Sequence, residues 1–236
     1  MNQYLPRYAR VRAELVQRLS VGEWAPGTAL PSEMALAAEL GVSQGTARKA
    51  IDSLVTDGAL MRIQGKGTFV AEQTAELANF RFLRITDRDG QRVIPELIRW
   101  SAAAASADAE TARALAIEPG AELHRIVRTR AIGGIPAILE VIRIPDAIMP
   151  GLSSTTDLPN ALYPYYQSAH GVTVLRTDDH LSAVAADTTA ATALSVPEGT
   201  PLLRSERVAY DLTDRAVEHR VSHFITDDHR FSVRLG

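Results

Sequence analysis

The chain has 236 residues, 46% of them hydrophobic, which is enough for one large domain or two smaller ones with their own cores. Its formal net charge of -3 excludes a polycation that binds nucleic acid through bulk charge alone. The absence of cysteine excludes disulfides, thiolate catalysis and cysteine-ligated metals, and it fits a reducing compartment. No segment has the pattern of a signal peptide or a membrane span, so we expect a cytoplasmic protein without a membrane partner.

The N-terminal part of the chain predicts three helices. Apolar side chains recur at helical spacing over residues 5–20, which predicts the first helix. Ser32 is a favourable N-cap for a second helix over residues 33–40. Ser43 caps a third helix, and Gly58 has the conformational freedom needed to end it.

A glycine-rich hairpin is predicted after the third helix. Two short apolar segments, LMRI and TFV, flank the sequence QGKG at residues 64–67. Three helices, a short turn between the second and third, and a hairpin together make a winged helix-turn-helix. In that arrangement the third helix enters the major groove by its N-terminal end, and the wing lies on the phosphate backbone.

The residue types at these positions suit contacts with double-stranded DNA. A helix N-terminus carries free N–H groups that favour phosphate, and Gly45 lets another backbone come close. Gln44 and Thr46 can bond to base edges or phosphates, and Arg48 can reach either. The alternative is an ordinary solvated helix followed by a turn. The predicted DNA-binding residues are Ser32, Ser43, Gln44, Gly45, Thr46, Arg48, Lys49, Gln64, Gly65, Lys66 and Gly67.

Residues 8–71 resemble the DNA-binding domain of the GntR family of bacterial transcription regulators. The resemblance rests on LPSE before the second helix, on GVS..T.R.A...L...G in the third helix, and on G.GTFV in the wing. The family usually has arginines that contact DNA where this chain has Met34 and Gln44, whereas Arg48 matches the remaining motif arginine. We therefore expect fewer phosphate contacts than in the family's other members. Each missing contact should change the slope of log affinity against log salt concentration by roughly 0.9.

The rest of the chain is strand-rich and contains an internal repeat. We expect a DNA-binding domain over residues 1–71, a polar linker over 72–79 and a second domain over 80–236. The repeat begins at TARALAIEPGAELHRIVRTRA and again at TAATALSVPEGTPLLRSERVA, and it aligns Arg128 with Arg207.

Each copy of the repeat predicts a short helix, a turn and a β-hairpin. The first hairpin turns at Gly133-Gly134 and the second near Thr213-Asp214. Two such units predict a pseudo-symmetric antiparallel sheet with helices packed on it. A pocket between related halves is a natural place for a ligand.

The strand LHRIVRTRA combines cations with branched aliphatic residues. Arg128 and Arg130 are two residues apart and so share a face, and Glu140 lies on the return strand. One interpretation is a surface ladder of arginine and glutamate across the hairpin. The other is an anion-binding pair of guanidinium groups, with Glu140 orienting an arginine or accepting a ligand hydroxyl or amine.

The second hairpin places Glu218, Arg220 and Ser222 on one strand face. By the repeat, Arg220 lies near the position that Glu140 has in the first copy. A solvated strand face is the alternative explanation for these three residues.

Residues 80–235 are similar to the UTRA domain, the effector-binding module of the HutC-type branch of the GntR family. The matching pieces include R.R....IP..LE, ALY, GTPLL and VEHR. The resemblance implies a chorismate-lyase-like fold, and it implies a pocket for a phosphate, phosphonate or carboxylate metabolite. Ala161 replaces a serine that contacts phosphate in some members. The predicted effector-binding residues are Arg128, Arg130, Glu140, Tyr163, Arg220 and Ser222.

We therefore predict an α+β protein, a winged helix-turn-helix joined to an antiparallel-sheet domain, that acts as a metabolite-responsive repressor. We expect it to bind a palindromic operator as a homodimer and to need no cofactor, metal or catalytic residue. Two other classes stay open from the sequence. One is an enzyme of chorismate-lyase-like fold that acts on a small carboxylate, and the other is a DNA-binding protein that responds to no ligand.

Overall fold

The computed structural model describes residues 5–152 and 157–233, and it begins with three helices. They are α1 (Arg7–Ser20), α2 (Glu33–Glu39) and α3 (Gln44–Asp57). The hydroxyl of Ser32 accepts a hydrogen bond from the N–H of Ala35 at 3.1 Å, and that of Ser43 accepts one from Thr46 at 3.3 Å. Gly58 ends α3 in the left-handed conformation, with φ 79. The predicted helix caps are confirmed.

The wing follows α3 directly. Its strands β1 (Leu60–Ile63) and β2 (Gly67–Val70) pair antiparallel. Leu15, Leu36 and Leu54 are completely buried between the three helices. The winged helix-turn-helix predicted from the sequence is therefore confirmed, with a core of its own.

Part of the segment predicted as a polar linker, residues 72–79, is helical. Helix α4 (Ala75–Phe82) begins inside it, and the Thr74 hydroxyl accepts from the N–H of Leu77 at 3.2 Å. Only Phe82 among the residues of α4 is buried. A helix that buries so little needs no apolar face, so its sequence shows little apolar periodicity. This is why the sequence pattern indicated a linker. Residues 1–4, 153–156 and 234–236 of the predicted domains lie outside the described part of the chain.

The second domain is built on a six-stranded antiparallel sheet. In spatial order, its strands are β4 (Glu96–Ser106), β5 (Glu122–Ile132), β6 (Ile135–Pro145), β9 (Ala216–Phe224), β8 (Pro201–Asp211) and β7 (Val174–Ala185). The other elements are β3 (Ile85–Asp87) paired with β10 (His229–Phe231), and the helices α5 (Ala109–Leu115), α6 (Leu162–His170) and α7 (Thr188–Leu194).

The internal repeat appears as a pseudo-twofold arrangement of this sheet. One unit is β4-α5-β5-β6 and the other is β7-α7-β8-β9, and they meet where β6 pairs with β9. Val141 lies opposite Val221 at this centre, and Glu140 lies opposite Ser222. Helices α5 and α7 both end on a left-handed residue that is not glycine, Ala116 in one copy and Ser195 in the other.

The two faces of the sheet are covered by different helices. Leu139 packs with α7 in one apolar cluster, whereas Ile142 packs with α6 in another. Because successive strand residues point to opposite faces, Arg128, Glu140 and Arg220 lie on the α6 side. No helix in the described ranges is long and apolar enough to cross a membrane.

Candidate functional site

The N-terminal end of α3 is exposed, as a DNA-reading surface requires. Gln44 and Gly45 are exposed, and the Ser43 hydroxyl is 2.9 Å from the Thr46 hydroxyl. Among the described residues, a Cβ placed on Gly45 meets no atom within 4 Å apart from its chain neighbours and its own helix backbone, and the backbone conformation there does not need glycine. Glycine in a helix costs roughly 0.5–1 kcal/mol relative to alanine. Nothing within the described protein explains this glycine.

Arg48 is held in place by an acidic residue that the sequence analysis did not select. Its Nε donates to Glu33 at 2.8 Å, and Arg62 donates to the other oxygen of Glu33 at 2.9 Å. Arg62 also contacts Asp52 at 2.7 Å. Glu33 therefore orients two exposed guanidinium groups beside α3. Its position in the LPSE motif was the available signal.

The remaining predicted DNA-binding residues lie on α3, at the start of α2 and on the wing. Lys49 places its Nζ 4.3 Å from the ring centroid of Tyr8 on α1. Ser32 serves as the cap of α2, where the neighbouring Met34 is 71% exposed. The wing residues Gln64, Gly65, Lys66 and Gly67 are all exposed.

A cleft on the α6 side of the sheet contains all six predicted effector-binding residues. It lies between the sheet, α4 and the start of α6, is partly open to solvent, and has a cavity volume of about 70 Å³. Its wall includes Arg128, Arg130, Glu140, Tyr163, Arg220 and Ser222. We call this space the effector cavity.

A buried network of ion pairs forms one wall of the effector cavity. Arg128 is 2% exposed and donates to Glu140, which is 4% exposed. Arg220 donates to the second oxygen of Glu140 at 3.2 Å and to both oxygens of Glu218 at 2.9 and 2.8 Å. The surface ladder considered from the sequence is therefore wrong for this pair of strands, because the whole arrangement is buried beneath α6.

These pairs keep the carboxylate of Glu140 ionised. Burial alone would raise the pKa of Glu140, but the charges of Arg128, Arg220 and Arg130 lower it well below its usual range. Tyr163 donates to Glu218 at 3.2 Å and Tyr166 donates at 2.7 Å. Burial raises the pKa of Tyr163 to about 12, so both phenols stay protonated as donors.

Arg207 is a cavity residue that the sequence analysis left out of the site. Its Nε donates to Asp179 at 2.8 Å, and its Nη2 donates to the carbonyl of Phe82 at 2.8 Å. The repeat places Arg207 at the position of Arg128, and that symmetry was the signal that could have found it. Asp179 had no comparable signal.

Arg130 differs from the other arginines on the sheet wall of the cavity. It is 5% exposed and donates to the carbonyl of Pro95 at 2.7 Å, but within the described residues no carboxylate lies close enough to form an ion pair with it. Its Nε has no hydrogen-bond partner there. Burial lowers the pKa of Arg130 to about 10, which leaves it charged near neutral pH.

The sheet wall therefore keeps one positive charge in excess. Its other three arginines, Arg128, Arg207 and Arg220, are matched by Glu140, Asp179 and Glu218. Arg84 also lines the cavity, but it is partly exposed, so water can solvate its charge. The buried excess charge is that of Arg130.

The first turn of α6 adds to this positive end of the cavity. Ala161 is the N-cap residue and supplies no side-chain cap, and Leu162 and Tyr163 follow it at the cavity wall. Uncapped N–H groups at a helix start favour anions. No histidine is among the described cavity residues, and no three acidic or histidine side chains there are grouped to hold a metal ion.

Helix α4 links the effector cavity to the winged helix-turn-helix domain. Phe82 lies at the cavity and packs edge-on against Tyr163, with ring centroids 5.0 Å apart. The preceding residue, Arg81, donates to the carbonyls of Asp57 in α3 at 3.0 Å and Leu175 in β7 at 2.9 Å. Successive residues of one helix thus contact the effector cavity and α3.

Comparison with known proteins gives consistent matches over both domains. The family described as "Bacterial regulatory proteins, gntR family" matches residues 7–70, and the UTRA domain family matches residues 94–230, more than half of the chain. The transcriptional repressor NagR of Bacillus subtilis is 28% identical over 96% of this chain and 93% of its own. The repressor PhnF of Mycolicibacterium smegmatis is 30% identical over 94% and 90%. The ligand-binding domain of a GntR-family regulator from Bordetella bronchiseptica superposes with a TM-score of 0.58, at 28% identity over 66% of this chain and 98% of that one.

Proposed function

The chain belongs to the GntR family of bacterial regulatory proteins, in the branch that carries a UTRA domain, and we propose that it leaves its operator when a small anionic metabolite binds. Its named relatives are transcriptional repressors. As a member of this family it is a DNA-binding transcription regulator. The metabolite class, the DNA-contacting residues and the homodimer are the parts that we add as proposals.

Arg130 is the observation that carries the proposal of an anionic effector. A buried guanidinium without a carboxylate partner is costly unless another charge pairs with it. The sheet wall around Arg130 already pairs its other three arginines with carboxylates of the chain itself. An anion from outside would complete the arrangement, with further donors from the start of α6.

DNA recognition is assigned to the start of α3 and to the wing. Arg48, oriented by Glu33, is the side chain with the reach and the donor geometry for a base edge. Gly45 would let α3 lie close to the DNA, and Lys66 would contact a phosphate from the wing. One such domain makes few contacts, so we propose a cytoplasmic homodimer that reads two half-sites about one turn of DNA apart.

Coupling between the two sites is assigned to α4. A metabolite in the effector cavity would contact or displace Phe82, and Arg81 would transmit the change to the end of α3. An effect of ~1–3 kcal/mol is enough for a regulatory response. The chorismate-lyase-like enzyme is the weaker candidate, because the named relatives are regulators.

A thermal-shift screen followed by DNA titration tests this function. Phosphorylated and carboxylated metabolites are screened with the full chain, and each compound that raises the melting temperature is added to a complex with an operator selected from random DNA. We expect at least one anion to stabilise the protein and to weaken operator binding. Operator binding that no stabilising anion changes would contradict the proposal, and chemical conversion of an anion would favour the enzyme.

A further inference from the structure

Two polar side chains at the effector cavity share one main-chain acceptor. Arg130 Nη2 donates to the carbonyl oxygen of Pro95 at 2.7 Å, and Asn160 Nδ2 donates to the same oxygen at 3.0 Å. Both side chains line the effector cavity. A carbonyl can only accept, so the atom of Asn160 that faces Pro95 is the amide nitrogen, and the orientation of the Asn160 amide is fixed. Its oxygen Oδ1 therefore points elsewhere.

Each of these side chains keeps one buried atom without a partner. Among the described residues, neither the Nε donor of Arg130 nor the Oδ1 acceptor of Asn160 has a hydrogen-bond partner. A buried polar atom that is left unpaired lowers stability, because it has lost its bonds to water without replacement. Asn160 is also held by its backbone, because its carbonyl accepts from Arg128 at 3.1 Å. Both unpaired atoms belong to side chains that line the effector cavity, where a ligand can supply an acceptor for one and a donor for the other.

Part of the wall of the effector cavity is apolar. Phe82, Ile85, Ile138, Phe224 and Phe231 line it. A sugar carries hydroxyls along its whole length, and these side chains offer no partner for such groups. An apolar or aromatic body would bury its surface against them with a favourable contribution.

The charge of the cavity limits the charge of the ligand. One buried arginine is in excess, so a monoanion brings the buried wall to neutrality. A phosphate monoester carries roughly -1.5 to -2 at pH 7 and would leave buried negative charge. A carboxylate matches the single buried excess guanidinium.

From these four observations we propose that the effector is a monocarboxylate with a hydroxyl or neutral N–H near its acid group and an apolar body. The carboxylate accepts from Arg130 Nε and the first turn of α6. The neighbouring donor bonds to Asn160 Oδ1, and the body lies against the apolar side chains of the cavity. This inference deepens the function proposed above and rests on it.

Matched acids test the inference with the full-length chain. Lactate, 2-hydroxy-4-methylpentanoate and 3-phenyllactate are each compared with the acid that lacks the hydroxyl, and glucose 6-phosphate serves as the sugar phosphate. Titration calorimetry gives Kd, and anisotropy of a labelled operator gives release. We expect each hydroxy acid with a larger apolar body to have a Kd at least about tenfold lower than that of the matching acid without the hydroxyl. The acid without the hydroxyl leaves Asn160 Oδ1 unpaired.

Substitutions at the two asparagines of the cavity wall provide the control. Asn160→Ala should bind a hydroxy acid and its partner equally, whereas Asn79→Ala, the matched change on α4, should keep the preference. Melting temperatures and operator affinity without ligand report whether each variant is folded.

The possible outcomes separate this inference from the function on which it rests. Equal binding of the paired acids by the wild type, or binding by none of the carboxylates up to millimolar concentration, overturns the inference. Release by glucose 6-phosphate alone also overturns it, although a metabolite-responsive repressor would then stand. If no anion of either kind binds or releases DNA, the proposed function fails as well.

Discussion

The guanidinium of Arg81 donates a 3.0 Å hydrogen bond to the carbonyl oxygen of Asp57, the last residue of α3. The same Nη2 atom bonds to Leu175 in the second domain, so one side chain joins α3, α4 and β7. Arg81 also lies against Gly58, where a Cβ would come within 2.5 Å of its Nη1. The end of the DNA-reading helix therefore rests on the helix that forms a wall of the effector cavity.

Replacing Arg81 should weaken the coupling between ligand and DNA. In Arg81→Ala the effector should still bind, but its effect on operator affinity should fall several-fold, within the usual coupling range of ~1–3 kcal/mol. Titrating labelled operator with and without effector measures the effect. Arg92→Ala is the matched control, because Arg92 bonds to α4 carbonyls on the exposed side. An unchanged ratio of the two affinities in Arg81→Ala would rule out this route.

Gly45→Ala should change stability and DNA affinity in opposite directions. The free energy of unfolding should rise by roughly 0.5–1 kcal/mol, because alanine is a better helix former and the added methyl meets no atom. Operator affinity should fall, since the methyl would enter the space proposed for DNA. Thermal denaturation and anisotropy give the two quantities, with Thr56→Ala at the other end of α3 as control. A variant that is more stable and binds operator normally would refute the close approach.

Arg48→Ala should abolish specific operator binding and leave the fold intact. Glu33→Gln should also lower operator affinity, because it weakens the hydrogen bonds that orient Arg48 and Arg62. Removing one phosphate contact should reduce the slope of log affinity against log salt by roughly 0.9, whereas removing a hydrogen bond to a base edge should leave that slope nearly unchanged. Arg113→Ala on α5 is the control. Normal operator binding by Arg48→Ala would contradict the docking of α3.

Glu140→Gln should destabilise the fold strongly near neutral pH. It leaves Arg128 and Arg220 buried with one fewer carboxylate, which costs about 3–5 kcal/mol for a broken buried pair. The pKa of Glu140 is lowered in the folded protein, so its contribution is present above the unfolded pKa of roughly 4.3 and is lost as the pH falls through the folded value. Urea denaturation should therefore show the largest difference from wild type above about pH 5. Glu110→Gln, at an exposed pair, should change little.

The sequence predicted the features that depend on local chemistry. The caps Ser32 and Ser43 and the turn at Gly133-Gly134 could be identified because each depends on a few neighbouring residues. The hairpin also put Glu140 on the strand that returns beside Arg128, and the strand register shows the two residues directly opposite each other.

Long-range contacts could not be predicted in the same way. Whether the Arg128–Glu140 pair is buried depends on α6, more than twenty residues further along the chain. No motif or repeat singled out Arg81, and its partners lie 24 and 94 residues away. The charge excess at Arg130 emerges only when the carboxylates of three strands are assigned to their arginines. A balance of buried charges depends on tertiary structure and leaves no periodic signal in the sequence.

The proposed response to an anion depends most directly on Arg130. The decisive measurement is the anisotropy of a labelled operator bound to wild type, Arg130→Ala and Arg99→Ala, titrated with the anion that releases the wild type. Arg99 is an exposed arginine on β4 and serves as the control. We predict that Arg130→Ala binds the operator with wild-type affinity and fails to release it, whereas Arg99→Ala releases it normally. Release of Arg130→Ala at the wild-type anion concentration would contradict the assignment of the effector cavity.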